Sequence, residues 1–138
     1  MNYIENIQKT LDIALKQFGV DNGIIIALED IDAPTDTSIP YLSSFQINTG
    51  ATVSDLDTTD IRNGFYQIDI NVKSGIGSAP INRLADQLNA IFFPGAYLNF
   101  NGVCVGIDDV IPSRVIVGGG WAKMALTINW NSFTARIK

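Results

Sequence analysis

The residue types that most often carry catalysis are scarce in this chain. There is no histidine, so neither a Ser–His nor a Cys–His couple can form, and the commonest acid–base group and metal ligand is missing. The single cysteine, Cys104, cannot make an intrachain disulfide and lies in Val103-Cys104-Val105, a setting that predicts a core filler over a nucleophile. Lys73-Ser74-Gly75-Ile76-Gly77-Ser78 joins a strand pattern to a helix pattern, a place where backbone N–H groups and a helix dipole can hold a phosphate. The nucleotide-binding patterns are incomplete, however: the phosphate-loop spacing, a third glycine and a downstream acid in a βαβ unit are all lacking. Pro80 also removes a donor from the first helical turn. A plain turn with Ser78 as helix cap is the simpler account.

Carboxylates offer a second kind of chemistry. Asp55, Asp57 and Asp60, and the pair Asp108-Asp109, have the oxygen ligands that a hard cation takes. The segment Asp55-Leu56-Asp57-Thr58-Thr59-Asp60 lacks the central glycine and terminal glutamate of a calcium loop. Solvated or interface charge explains these acids better. No spacing singles out a Ser–Lys or paired-carboxylate site. The residues thus imply no catalytic group, no cofactor and no metal, and lead away from an enzyme.

Composition sets the frame for these residues. The 138 residues suit one domain, and 46% hydrophobic with 17% charged content predicts a globular core. No apolar run reaches the roughly 18 residues of a membrane-spanning helix, and Met1-Asn2-Tyr3 opens without a basic, apolar leader, which predicts a cytosolic origin. The net charge of −5 hides an asymmetry. Residues 1–20 are neutral, residues 21–60 carry eight acids and no base, and residues 61–138 carry a net +3. A nucleic-acid partner would need the opposite overall bias. Acidic and basic regions on one small body suit head-to-tail association of identical copies; acidic, solvated loops are an equally good account.

The elements that must position these residues follow from periodicity. Ile4, Ile7, Leu11, Ala14, Leu15 and Phe18 form one apolar stripe of a first helix over 3–18. Glu5–Lys9 and Asp12–Lys16 pair on its wet side, and Gly19 is read as its stop. Residues 24–28 read as a short strand, 29–40 as a loop, 41–47 as a strand and 48–63 as a second acidic connection. Tyr66, Ile68, Ile70 and Val72 alternate with polar residues as a half-buried strand. A helix then spans Ile81 to Ile91, ended by Pro94-Gly95. Residues 97–100 and 103–107 make a hairpin about Asn101-Gly102. Strands at 114–117 and 122–130 flank Gly118-Gly119-Gly120, which most simply forms a tight hairpin. Ala122, Met124, Leu126, Ile128 and Trp130 share the inner face of the last strand, which sends Trp121 outward with Lys123 and Thr127. Trp121 then serves either as a contact anchor between proteins or as a ring tucked under a nearby loop. The order predicts an α+β domain, a mainly antiparallel sheet with two helices packed on one face.

One ordered series of residues is familiar. It runs through Gly64-Phe65-Tyr66-Gln67-Ile68-Asp69-Ile70-Asn71-Val72, the Gly75/Gly77 turn, Ala85-Asp86 and Ile91-Phe92-Phe93-Pro94-Gly95. Gly102-Val103, Gly120-Trp121 and Leu126-Thr127-Ile128-Asn129-Trp130 complete it, with the first helix and Pro40-Tyr41-Leu42 in support. The series resembles the tail terminator proteins of long-tailed phages and prophages, the lambda-type minor tail protein family. Gly23-Ile24-Ile25-Ile26-Ala27-Leu28 departs from it, since relatives often carry Trp-Pro or Asn after the first helix. The resemblance implies a structural, non-enzymatic virion protein. It would be a ring, usually of six copies, on the head-proximal end of the tail tube, built in the host cytoplasm and monomeric when free. Its partners would be itself, the tail tube protein and a head-completion or connector protein, with no membrane. Such a ring would stop tube polymerisation and present a surface to the head. The acidic loops would order only against tube or head. The interface candidates are Asp55, Asp57 and Asp60 on the acidic side, and Arg114, Trp121 and Lys123 on the basic side. A different neck or tube component, or a small-molecule or nucleotide-binding α+β domain, are the alternatives.

Overall fold

The computed structural model describes residues 3–28, 40–55, 59–75, 77, 79–100 and 102–135. Helix α1 (Tyr3–Asn22) buries Ile7, Leu11, Leu15 and Phe18, each worth about 1.5–3 kcal/mol of transfer free energy. Ile4, in the first turn of the helix, is instead 53% exposed. The Glu5–Lys9 pair forms on the wet side at 2.9 Å. The helix does not stop at Gly19. It runs on to Asn22 and ends where Gly23 takes φ 65° and Ile24 N–H donates to Gly19 C=O at 2.9 Å, the six-to-one bond of a Schellman ending. Gly19 has another use, because a Cβ there would stand 2.5 Å from Ile26 Cγ1. Its bareness lets strand β1 (Ile25–Ala27) fold back against the helix.

Strand β1 lies parallel to β2 (Tyr41–Asp55), and every other pairing is antiparallel. The sheet also holds β3 (Thr59–Lys73), β4 (Tyr97–Phe100), β5 (Val103–Pro112), β6 (Ile116–Gly118) and β7 (Trp121–Ala135). Its order is β1-β2-β3-β7-β5-β4, with β6 on the same side of β7 as β5, beyond the end of β5. Helix α2 (Ala79–Asn89) follows β3, starts with Pro80 in its first turn and buries Ile81 and Leu88. It ends before Pro94-Gly95, through a turn in which Phe92 N–H reaches Leu88 C=O. Tyr66, Ile68, Ile70 and Val72 of β3, with Ala122, Met124, Leu126, Ile128 and Trp130 of β7, face the helices and form one core with them. This is an α+β fold with a mostly antiparallel sheet.

The stretch 48–63, expected to be a connection, is strand in its described residues, 48–55 and 59–63. β2 and β3 form a hairpin whose register runs from Tyr41↔Asn71 to Asp55↔Thr59, and β7 pairs β3 along all of it. Two register shifts in β2, between Asn48 and Gly50 and between Val53 and Asp55, break the alternation that would have marked a strand. Cys104 is also placed differently from expectation. Val103 and Val105 are buried, so period two turns Cys104 outward and exposes it. Residues 29–39 of the loop predicted over 29–40, and the cap residue Ser78, lie outside the described residues. Among the described residues, no helix is long and apolar enough to cross a membrane.

Candidate interaction surfaces

The three 15-residue strands β2, β3 and β7 give the molecule two ends. At one end Lys73 pairs with Trp121, and Lys123 lies between Asn71 and Ile116. Arg114 sits just beside them, between β5 and β6, where Ser113 keeps the ladder running. Its N–H donates to Ala125 C=O at 2.8 Å and its Oγ accepts Ala125 N–H at 2.9 Å. Lys73, Lys123 and Arg114 are all exposed. The turn beyond uses Gly119 and Gly120 at φ 60° and 83°, as a two-residue hairpin of this twist requires. The glycine triplet is therefore the expected tight hairpin.

Trp121 is half-buried on the helix-free face, its ring edge-on to Tyr41 with centroids 5.0 Å apart. Beneath the pair Asn71 is buried. Its Nδ2 donates to Asp69 C=O at 3.2 Å, while its Oδ1 has no hydrogen-bond partner. Among the described residues Trp121 thus meets a strand residue and no loop, and part of its indole stays accessible.

The other end carries the tip of the β2–β3 hairpin. Asp55 pairs with Thr59, and Asp60 pairs with Val53 and Thr134; Asp57 lies outside the described residues. Lys73 and Asp60 are 13 residues apart on β3, which is about 40 Å of strand. The structure therefore brings Arg114, Trp121 and Lys123 together and sets them at the far end of the long strands from Asp55 and Asp60.

The remaining polar motifs resolve into structure. A bulge between Ile107 and Asp109 turns both Asp108 and Asp109 outward, where they accept hydrogen bonds from Asn131 and Asn129 of β7. In the Ser74–Ser78 turn, Gly75 and Gly77 both have φ 84°, and Ser74 N–H donates to Gly120 C=O at 3.0 Å. The glycines are needed for chain reversal. Among the described residues, no three acids or cysteines gather as a metal site. Sequence reasoning missed the exposed Ile116 and Val117, 58% and 67% accessible on consecutive positions of β6. Their adjacency in a three-residue strand was the available signal, since one of two neighbours in a strand faces outward by geometry alone.

Comparisons agree with this architecture. A solved structure shares the fold with a TM-score of 0.77 over all of this chain and 99% of that chain, at 12% identity. No curated protein matches the sequence. The family model described as phage tail terminator protein matches residues 6–130. That span takes in most of α1 and of β7, all the other elements and the Arg114–Trp121–Lys123 end, and the chain belongs to the phage tail terminator family.

Proposed function

We propose that this structural component of the phage tail forms a closed ring, of six copies, on the head-proximal end of the tail tube. The ring stops tube polymerisation and presents the surface to which the head is joined. Its partners are further copies of itself, the tail tube protein and a head-completion or connector protein. Subunits are monomers in the host cytoplasm until they meet a tube. The observation that carries this reading is the uneven placement of charge along the long strands, with Arg114 and Lys123 at one end and Asp55 and Asp60, with Arg62 near them, at the other. Patches of opposite sign on different parts of one subunit favour a heterologous contact, which closes into a ring when the rotation allows.

Electron microscopy of lysates from the source phage with this gene deleted tests the reading. Overlong tubes detached from filled heads are expected. Tails of normal length on intact particles would overturn it, and long polymers of the purified protein would mark a tube subunit instead.

A further inference from the structure

We propose that a cleft at the basic end of the sheet receives the acidic segment Asp55–Asp57 of a second copy, against Lys73 and Arg83. This proposal rests on the ring reading and names the contact that would build the ring. The cleft, about 230 Å³, lies where β1, the start of β2, the end of β3 and α2 meet. Ile24, Pro40, Val72 and Leu84 give it apolar walls, Lys73 and Arg83 bring two cations, and among the described residues no acid lines it. Neither cation has an ion-pair partner among the described residues. The volume is below the roughly 300–1,000 Å³ of ordinary small-molecule sites and suits one or two side chains.

Asp55-Leu56-Asp57 has the matching chemistry: one aliphatic residue flanked by two carboxylates, with Asp60 close behind and no base anywhere in 21–60. The same copy cannot supply it. About 40 Å of strand separates Asp60 from Lys73, and β3 is held in register by β2 on one side and β7 on the other. Only another copy can bring that tip to this cleft. The two patches differ, so the contact is heterologous and repeats from copy to copy.

A cysteine trap in assembled tails tests the contact. Chains carrying Leu56→Cys and Leu84→Cys in a Cys104→Ser background are used to complement the deletion phage, and tails are oxidised mildly. A ladder of SDS-stable multimers is expected from the double-cysteine chain and from neither single one. Tails of normal length without a ladder, or a link confined within one chain, overturn the cleft contact and leave the terminator role standing. Normal tails without the gene overturn the ring reading separately.

Should the trapped chain fail to fold, surface charge reversal gives a second route. Lys73→Glu/Arg83→Glu and Asp55→Lys/Asp57→Lys chains should each lose complementation alone and regain it when co-expressed. Co-expression without recovery overturns the pairing.

Discussion

The indole of Trp121 meets the ring of Tyr41 edge to face, at an interplanar angle of 85°, across the strand that lies between them. An edge-on aromatic pair contributes about 0.5–1.5 kcal/mol beyond its buried area. Trp121→Ala should therefore lower stability by about 2 kcal/mol in denaturant titration, while Trp121→Phe should melt close to the parent. Fluorescence separates this structural share from an interface role. Trp130 is 1% exposed, and Trp121 is the more accessible of the two indoles. Acrylamide should quench the parent far more than Trp121→Phe, and the difference should vanish in purified rings. A quenching slope unchanged on ring formation would remove Trp121 from the interface.

Gly64 should tolerate no side chain. A Cβ there would collide with the Ile47 carbonyl and stand 2.6 Å from Trp130 Cζ2. The Trp130 indole lies over the bare backbone of β3, so neither neighbour is a flexible tip. Overpacking of this kind costs about 3 kcal/mol. Gly64→Ala should lose about that much in urea unfolding, whereas Gly75→Ala, with open space around it, should lose only the smaller cost of its positive φ.

These two glycines show which features the sequence makes legible. Helix α1, the inner face of β7 and the two-glycine hairpin were readable because each obeys a local rule: a period of three to four, a period of two, or a demand for positive φ. The pairing of 48–55 with 59–64 was hidden because two register shifts in β2 scramble its period, and its Asp and Thr content imitates a loop. Gly19 looked like a helix stop, yet its role depends on Ile26 approaching from a different element. Asp55, Asp60, Arg114, Trp121 and Lys123 could be named individually from composition and face. That they lie at two ends of one sheet, and that Lys73 and Arg83 share a cleft, required the strand register.

Tyr66 couples the sheet to α1. Its hydroxyl donates to Asp12 Oδ1 from a fully buried ring, 54 residues away in sequence. Hydrogen bonds to charged groups contribute about 1.5–3 kcal/mol net. Tyr66→Phe should lose about 2 kcal/mol in equilibrium unfolding with the fold unchanged by circular dichroism. Hydrogen exchange should accelerate first in α1, because the lost bond is a tie between that helix and β3.

The charged ends of the strands yield the last expectation. Asn in place of Asp55, Asp57 and Asp60 keeps each side chain's size and removes three charges; Glu in place of Arg114 and Lys123 reverses two at the other end. If opposite ends of neighbouring copies meet, both variants should fold as the parent does and both should fail in tail joining. The acid-to-amide chain should fail less completely, since it loses attraction without acquiring repulsion. Higher salt should weaken parent assembly more than assembly of the acid-to-amide chain, because screening acts only on charges still present. Counting tailed, head-joined particles over a salt series reads both effects. Normal joining by the acid-to-amide chain at every salt concentration would show that these acids take no part in assembly.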